Sequence, residues 1–109
     1  MNKRSERSGE RLLDSLITAI CADYGRRKEA LEQCLVGRRV RMEYAYMNSR
    51  VFEGAGEISG GALAEIFIRE IGEGIGYASS AVSVMSESTY KTYKKEIKRN
   101  IARKLKLID

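Results

Sequence analysis

Apolar positions recur with helical spacing along most of this chain, and the longest unbroken run closes it. Tyr90, Tyr93, Ile97, Ile101, Leu105 and Ile108 follow at steps of three, four, four, four and three, which lays one apolar face along five helical turns. Ser86 precedes the run as an N-cap, and Glu87 suits the positive end of the helix dipole. This predicts a long C-terminal helix beginning at Ser86, with Tyr90 and Tyr93 on its packing side.

The pattern upstream is also helical. Residues 1–8 are polar and expected to fray. From Gly9 onward Leu13, Leu16, Ile17, Ile20 and Tyr24 define one face, with Gly25 as a stop or kink. Leu31, Cys34 and Leu35 resume it. In residues 37–52 two patterns compete. Val40, Met42, Tyr44 and Tyr46 alternate as in a strand, whereas Val40, Tyr44, Met47 and Val51 fit a helix. Helix is preferred, because no partner strand is evident and a lone strand leaves its backbone groups unpaired. EGAGEISGG, residues 53–61, reads as a flexible loop, with Ser59 as cap for the next helix. That helix spans Ala62–Ile71, with Leu63, Ile66, Phe67 and Ile71 facing a core, and GEGIG closes it. YASSAVSVM, residues 77–85, offers small residues for close helix approach. Proline is absent, so nothing forbids long helices. The expected fold is all-α: an N-terminal helical dimerisation or interaction region over residues 1–55, then a C-terminal helix-turn-helix over 56–109 with a long basic last helix.

Charge divides the chain differently. Residues 1–50 carry eleven basic and seven acidic groups, residues 51–85 one and five, and residues 86–109 eight and three. Two cationic ends flank an anionic middle, which implies either a polyanionic partner or internal charge complementarity.

Several classes are set aside. With two cysteines, Cys21 and Cys34, and no histidine, the usual zinc clusters are excluded and no metal or cofactor is expected. Both cysteines fall on apolar helix faces and are read as buried, reduced thiols. The glycine-rich segment lacks the lysine and hydroxyl of a phosphate-binding loop. Neither a nucleophile motif nor paired carboxylates in an apolar setting are present, so the chain is not read as an enzyme. No apolar run approaches the roughly twenty residues of a membrane span, and no signal peptide is visible. A cytoplasmic protein without membrane contact is expected.

Chemistry therefore centres on the last helix. Its opening, SESTYKTY, places short hydroxylated residues and a lysine on the turns that a recognition helix offers to the major groove. The candidate DNA-binding residues are Ser86, Glu87, Ser88, Thr89, Lys91, Thr92, Lys94, Lys95 and Lys98. The short side chains would reach base edges and the lysines would neutralise phosphates. Ser86, Thr89, Tyr90, Tyr93, Lys94, Lys95, Ile97, Ala102 and Leu105 also carry a resemblance. Over its last quarter the chain resembles sigma-factor region-four-like proteins, notably small phage transcriptional regulators of the ArpU/RinA kind. The resemblance implies that Ala62–Ile71 is the first motif helix. It also implies a phage- or mobile-element-encoded, sequence-specific DNA-binding transcriptional regulator on double-stranded DNA, with a helical N-terminal part that forms a homodimer or contacts RNA polymerase. The competing reading is a helical protein-interaction module that binds polymerase, a packaging subunit or itself, the acidic middle of one copy pairing with the basic ends of another.

Overall fold

The computed structural model describes residues 3–82 and 84–109, with side chains described from Gly9 onward. Five α-helices follow in order: α1 (Lys3–Ala22), α2 (Tyr24–Glu32), α3 (Arg38–Ser59), α4 (Gly61–Glu73) and α5 (Glu87–Lys104). A 3-10 turn, Tyr77–Ser79, lies between the last two, and no strand occurs among the described residues. The fold is all-α. Residues 38–52 are helical, with Gly37 as an extended N-cap, resolving the competing alternation in favour of the longer period.

Helix α3 is the central element. It packs against α2, α4 and α5, while α1 lies across α4 and α5. The core joins Ile17 and Cys21 of α1, Val51 and Ala55 of α3, Ala64, Phe67, Ile68 and Ile71 of α4, and Tyr90, Ile97, Ile101 and Ala102 of α5, with Val82 from the connecting segment. Most of these positions lie on the apolar faces read above.

Several local expectations are corrected. The backbone of α1 is already helical at Lys3, within the stretch expected to fray. The bend after α1 falls at Asp23, and Gly25 is inside α2. Residues 53–59 form the last turns of α3, so the expected loop shrinks to Gly60, whose φ of +85° needs glycine. Of the other glycines of that stretch, Gly54 serves packing. A Cβ on Gly54 would stand 2.7 Å from Ile101 Cγ1 and 2.9 Å from Ile101 Cα, so this glycine lets α3 and α5 cross closely. Ser59 donates its hydroxyl to the Ala55 carbonyl at 3.0 Å, and the N-cap of α4 is Gly60. Cys21 is buried as expected, but Cys34 is exposed and has φ +52°. It follows α2 as the left-handed residue of a Schellman ending, with Leu35 N–H reaching back to the Ala30 carbonyl at 3.0 Å. Leu35 is exposed with it.

The division at residue 55 falls within the unbroken α3. Helix α4 ends in a second Schellman turn at Gly74, φ +69°. Residues 74–86 then connect it to α5. That thirteen-residue link is much longer than the three or four residues of a helix-turn-helix turn. Ser83, within it, lies outside the described residues.

Candidate nucleic-acid interface

The N-terminal half of α5 is held by one buried carboxylate. Glu70 of α4 is fully buried. Its Oε1 accepts from Ser80 Oγ and from the Tyr90 hydroxyl, both at 2.6 Å, and its Oε2 accepts from Ala81 N–H at 2.7 Å. Burial alone would raise its pKa, but the three donors outweigh it and hold the carboxyl below the usual range. The phenol of Tyr90 is pushed up to about 12 by burial and by the adjacent Glu70 charge. Aromatic packing completes the clamp. Phe67 stacks on Tyr90 at 5.5 Å, while Tyr77 and Tyr93 close the cluster at 5.6 Å from Tyr90 and 6.1 Å from Phe67.

The first turn of α5 is capped as expected. Ser86 Oγ accepts from Thr89 N–H at 3.3 Å and donates to Thr89 Oγ1 at 3.0 Å. Both hydroxyls are therefore engaged in the cap, while Ser88 and Thr92 stand exposed. Glu87 pairs with Lys91 at 3.2 Å along the surface.

The four predicted lysines separate into two pairs. Lys91 and Lys95 are exposed. Lys94 turns inward, donating to the Ile75 carbonyl at 2.7 Å and lying 5.3 Å from the Tyr90 ring centroid. Burial, followed by the nearby Lys98 charge, lowers its pKa. Lys98 bridges to Asp14 of α1 at 3.0 Å. The structure instead extends the exposed pair through Arg99 and Arg103, which are also exposed. Lys91, Lys95, Arg99 and Arg103 stand four apart, an inclined cationic row that rises about 18 Å at 1.5 Å per residue while winding partly around the helix. Among the described residues, Lys95, Arg99 and Arg103 have no ion-pair partner. The interval of four was visible in the sequence, yet Arg99 and Arg103 were not among the expected site residues. Like charges at that interval cost a few tenths of a kcal/mol per pair in an isolated helix.

The anionic middle is largely consumed within the chain. Glu53 pairs with Arg50 at 3.1 Å, Glu57 with Lys104, and Glu65 with Lys28 at 2.7 Å. Glu70 is spent in the clamp. Internal pairing thus engages most of the acidic segment and leaves little of it to pair with another copy. Arg27 is also withdrawn from the surface. It is buried between α1 and α3, donating to Asn48 Oδ1 at 2.7 Å and the Ile20 carbonyl at 2.8 Å. No sequence signal separated it from its exposed neighbour Arg26.

Between α1 and the basic face of α5 runs a groove of about 590 Å³. Leu13, Ile17 and Ile108 contribute its apolar walls. No family model, curated protein or solved structure matches the chain.

Proposed function

We propose that the chain binds duplex DNA through the exposed face of α5 and acts as a sequence-specific transcriptional regulator. The cationic stripe Lys91–Lys95–Arg99–Arg103 carries this reading, since three of its members have no ion-pair partner among the described residues. The stripe would follow a phosphate backbone, and Ser88 and Thr92 would face base edges near the capped end. Lys94 and Lys98 take positioning roles, because both are engaged within the chain. The reading rests on this face and not on the length of the link after α4. A phage-type regulator, as the resemblance implies, is its most specific form.

Fluorescence anisotropy on a random 25-base-pair duplex, titrated across salt, tests it. Affinity is expected to fall steeply with salt, with a log–log slope of roughly −0.9 per neutralised phosphate. Replacing Lys95, Arg99 and Arg103 together by Ala should flatten that slope by about three contacts' worth. A duplex affinity unchanged in the triple variant would overturn the proposal. Selection from random duplexes then tests sequence-specific readout.

A second observation favours a protein contact at the start of α3. Leu35, Met42 and Tyr46 are exposed beside Arg38, Arg39 and Arg41 at the start of α3. Aromatic residues, Met and Arg together are the composition of interface cores. This stretch is the proposed surface for a second copy or polymerase, and light scattering in the absence of DNA tests self-association.

A further inference from the structure

The α1–α5 groove has a property that duplex DNA does not use: apolar side chains and lysine stems share its lining with an excess of positive charge. Leu13 and Ile17 line it from α1, and Ile108 closes it from beyond α5. Lys91, Lys94, Lys95, Lys98 and Arg99 bring five positive charges to the same space, against Glu10 and Asp14. Its volume of about 590 Å³ lies in the range of small-molecule sites, roughly 300–1,000 Å³. Its net positive charge disfavours a cationic guest, and a wholly polar guest would leave Leu13 and Ile108 without a partner. It matches a body of apolar carbon ending in one anionic head.

The geometry points to this groove as a binding site for a single-chain anionic amphiphile of the long-chain carboxylate class. The tail would lie along Leu13, Ile108 and the lysine stems, with the buried Ile17 beneath them. The head would meet Lys95 and Arg99 at the open edge, where charge-assisted hydrogen bonds are available. Lys98 is held by Asp14 at 3.0 Å across the groove, so the free cations of the rim take the head. Because Lys91, Lys95 and Arg99 also belong to the stripe, an occupied groove would compete with phosphates for the same charges. The groove itself stands independently of the duplex reading and is measured without DNA.

Dodecanoate, kept below its micellar concentration, is titrated into the full chain by calorimetry and followed by amide chemical shifts. Saturable one-site binding is expected, with shifts confined to residues lining the groove. Dodecyltrimethylammonium, with the same tail and opposite head, should bind at least about tenfold more weakly, as should acetate, which has no tail. The exposed charge-reversal variant Lys95→Glu/Arg99→Glu should weaken dodecanoate by about tenfold or more, the worth of one charge-assisted contact. Leu13→Ala should weaken it while leaving the circular dichroism spectrum unchanged. Equal binding of the cationic detergent, shifts centred on Leu35 and Met42, or no effect of the charge reversal would each overturn the proposal. Saturating binding by an acidic peptide with no response to dodecanoate would also overturn it, since that outcome makes the groove a protein-docking surface.

Discussion

Three donors converge on the buried carboxylate of Glu70, one from a side chain of the connecting segment, one from its backbone and one from α5. Its folded-state pKa is depressed, so the stability it contributes is present above the unfolded carboxyl value and is lost as pH falls through the folded value. Glu70→Gln keeps the shape and removes the charge. It is expected to cost about 2–3 kcal/mol at neutral pH, the size of hydrogen bonds to a charged group. It should also flatten the acid limb of a chemical-denaturation series run from pH 7 down to pH 3. A variant with unchanged neutral stability would show that the clamp contributes nothing. The thiols offer a simpler check. Burial pushes Cys21 up to about 12, with Arg27 and Lys98 opposing weakly, and its side chain is enclosed in the core. Cys34 is open to solvent. A thiol reagent at pH 8 should therefore label one cysteine quickly and the second only on unfolding, and Cys34→Ser should abolish the fast phase.

The helix periodicity was legible where burial follows a single face, as in Ile17 of α1, Phe67 and Ile71 of α4, and Ile97 and Ile101 of α5. It failed where glycine carries two meanings. The glycines of residues 53–61 read as chain freedom, but Gly54 is the point where the α3 backbone meets Ile101. A glycine that permits close approach has the same letter as one that breaks a helix, and only the partner helix distinguishes them. Gly72 behaves likewise against Ala22 of α1, where a Cβ would stand 2.6 Å from backbone atoms. Gly54→Ala is expected to cost about 2–3 kcal/mol by overpacking. Gly25→Ala, with nothing within 4 Å of the added carbon, should gain about 0.5–1 kcal/mol of helix stability. Thermal melts of the two variants should move in opposite directions, and a neutral Gly54→Ala would show that α3 and α5 cross less tightly. The candidate site was legible in part for a related reason. Charge type and the cap at Ser86 are local, whereas the inward turn of Lys94 and the bridge of Lys98 depend on Ile75 and Asp14, distant in sequence.

Charge and core together bear on whether the chain folds as one unit. Ion pairs join α2 to α4 through Lys28 and Glu65, α1 to α5 through Asp14 and Lys98, and α3 to α5 through Glu57 and Lys104. Such surface pairs are each worth little, about 0–1 kcal/mol, so the apolar contacts decide the matter. Those contacts also cross the chain midpoint. Val51 and Ala55 of α3 share one cluster with Phe67, Ile97 and Ile101, and Ile17 and Cys21 of α1 belong to it as well. A fragment of residues 56–109 would lose α1, α2 and most of α3, leaving Ile101 without Gly54 beneath it and Gly72 without Ala22. Below about 60 residues a domain is already marginal, and this one would lack its central helix. The fragment is therefore expected to show weak helical circular dichroism and no cooperative melt, while the full chain unfolds in a single transition. The duplex assay gives the same experiment a functional arm. If the α5 stripe needs the Glu70 clamp and α3 to hold its face, the fragment should bind duplex more weakly than the full chain despite keeping every α5 cation. A fragment that melts cooperatively and binds duplex as tightly as the full chain would instead support two independent units divided near residue 55.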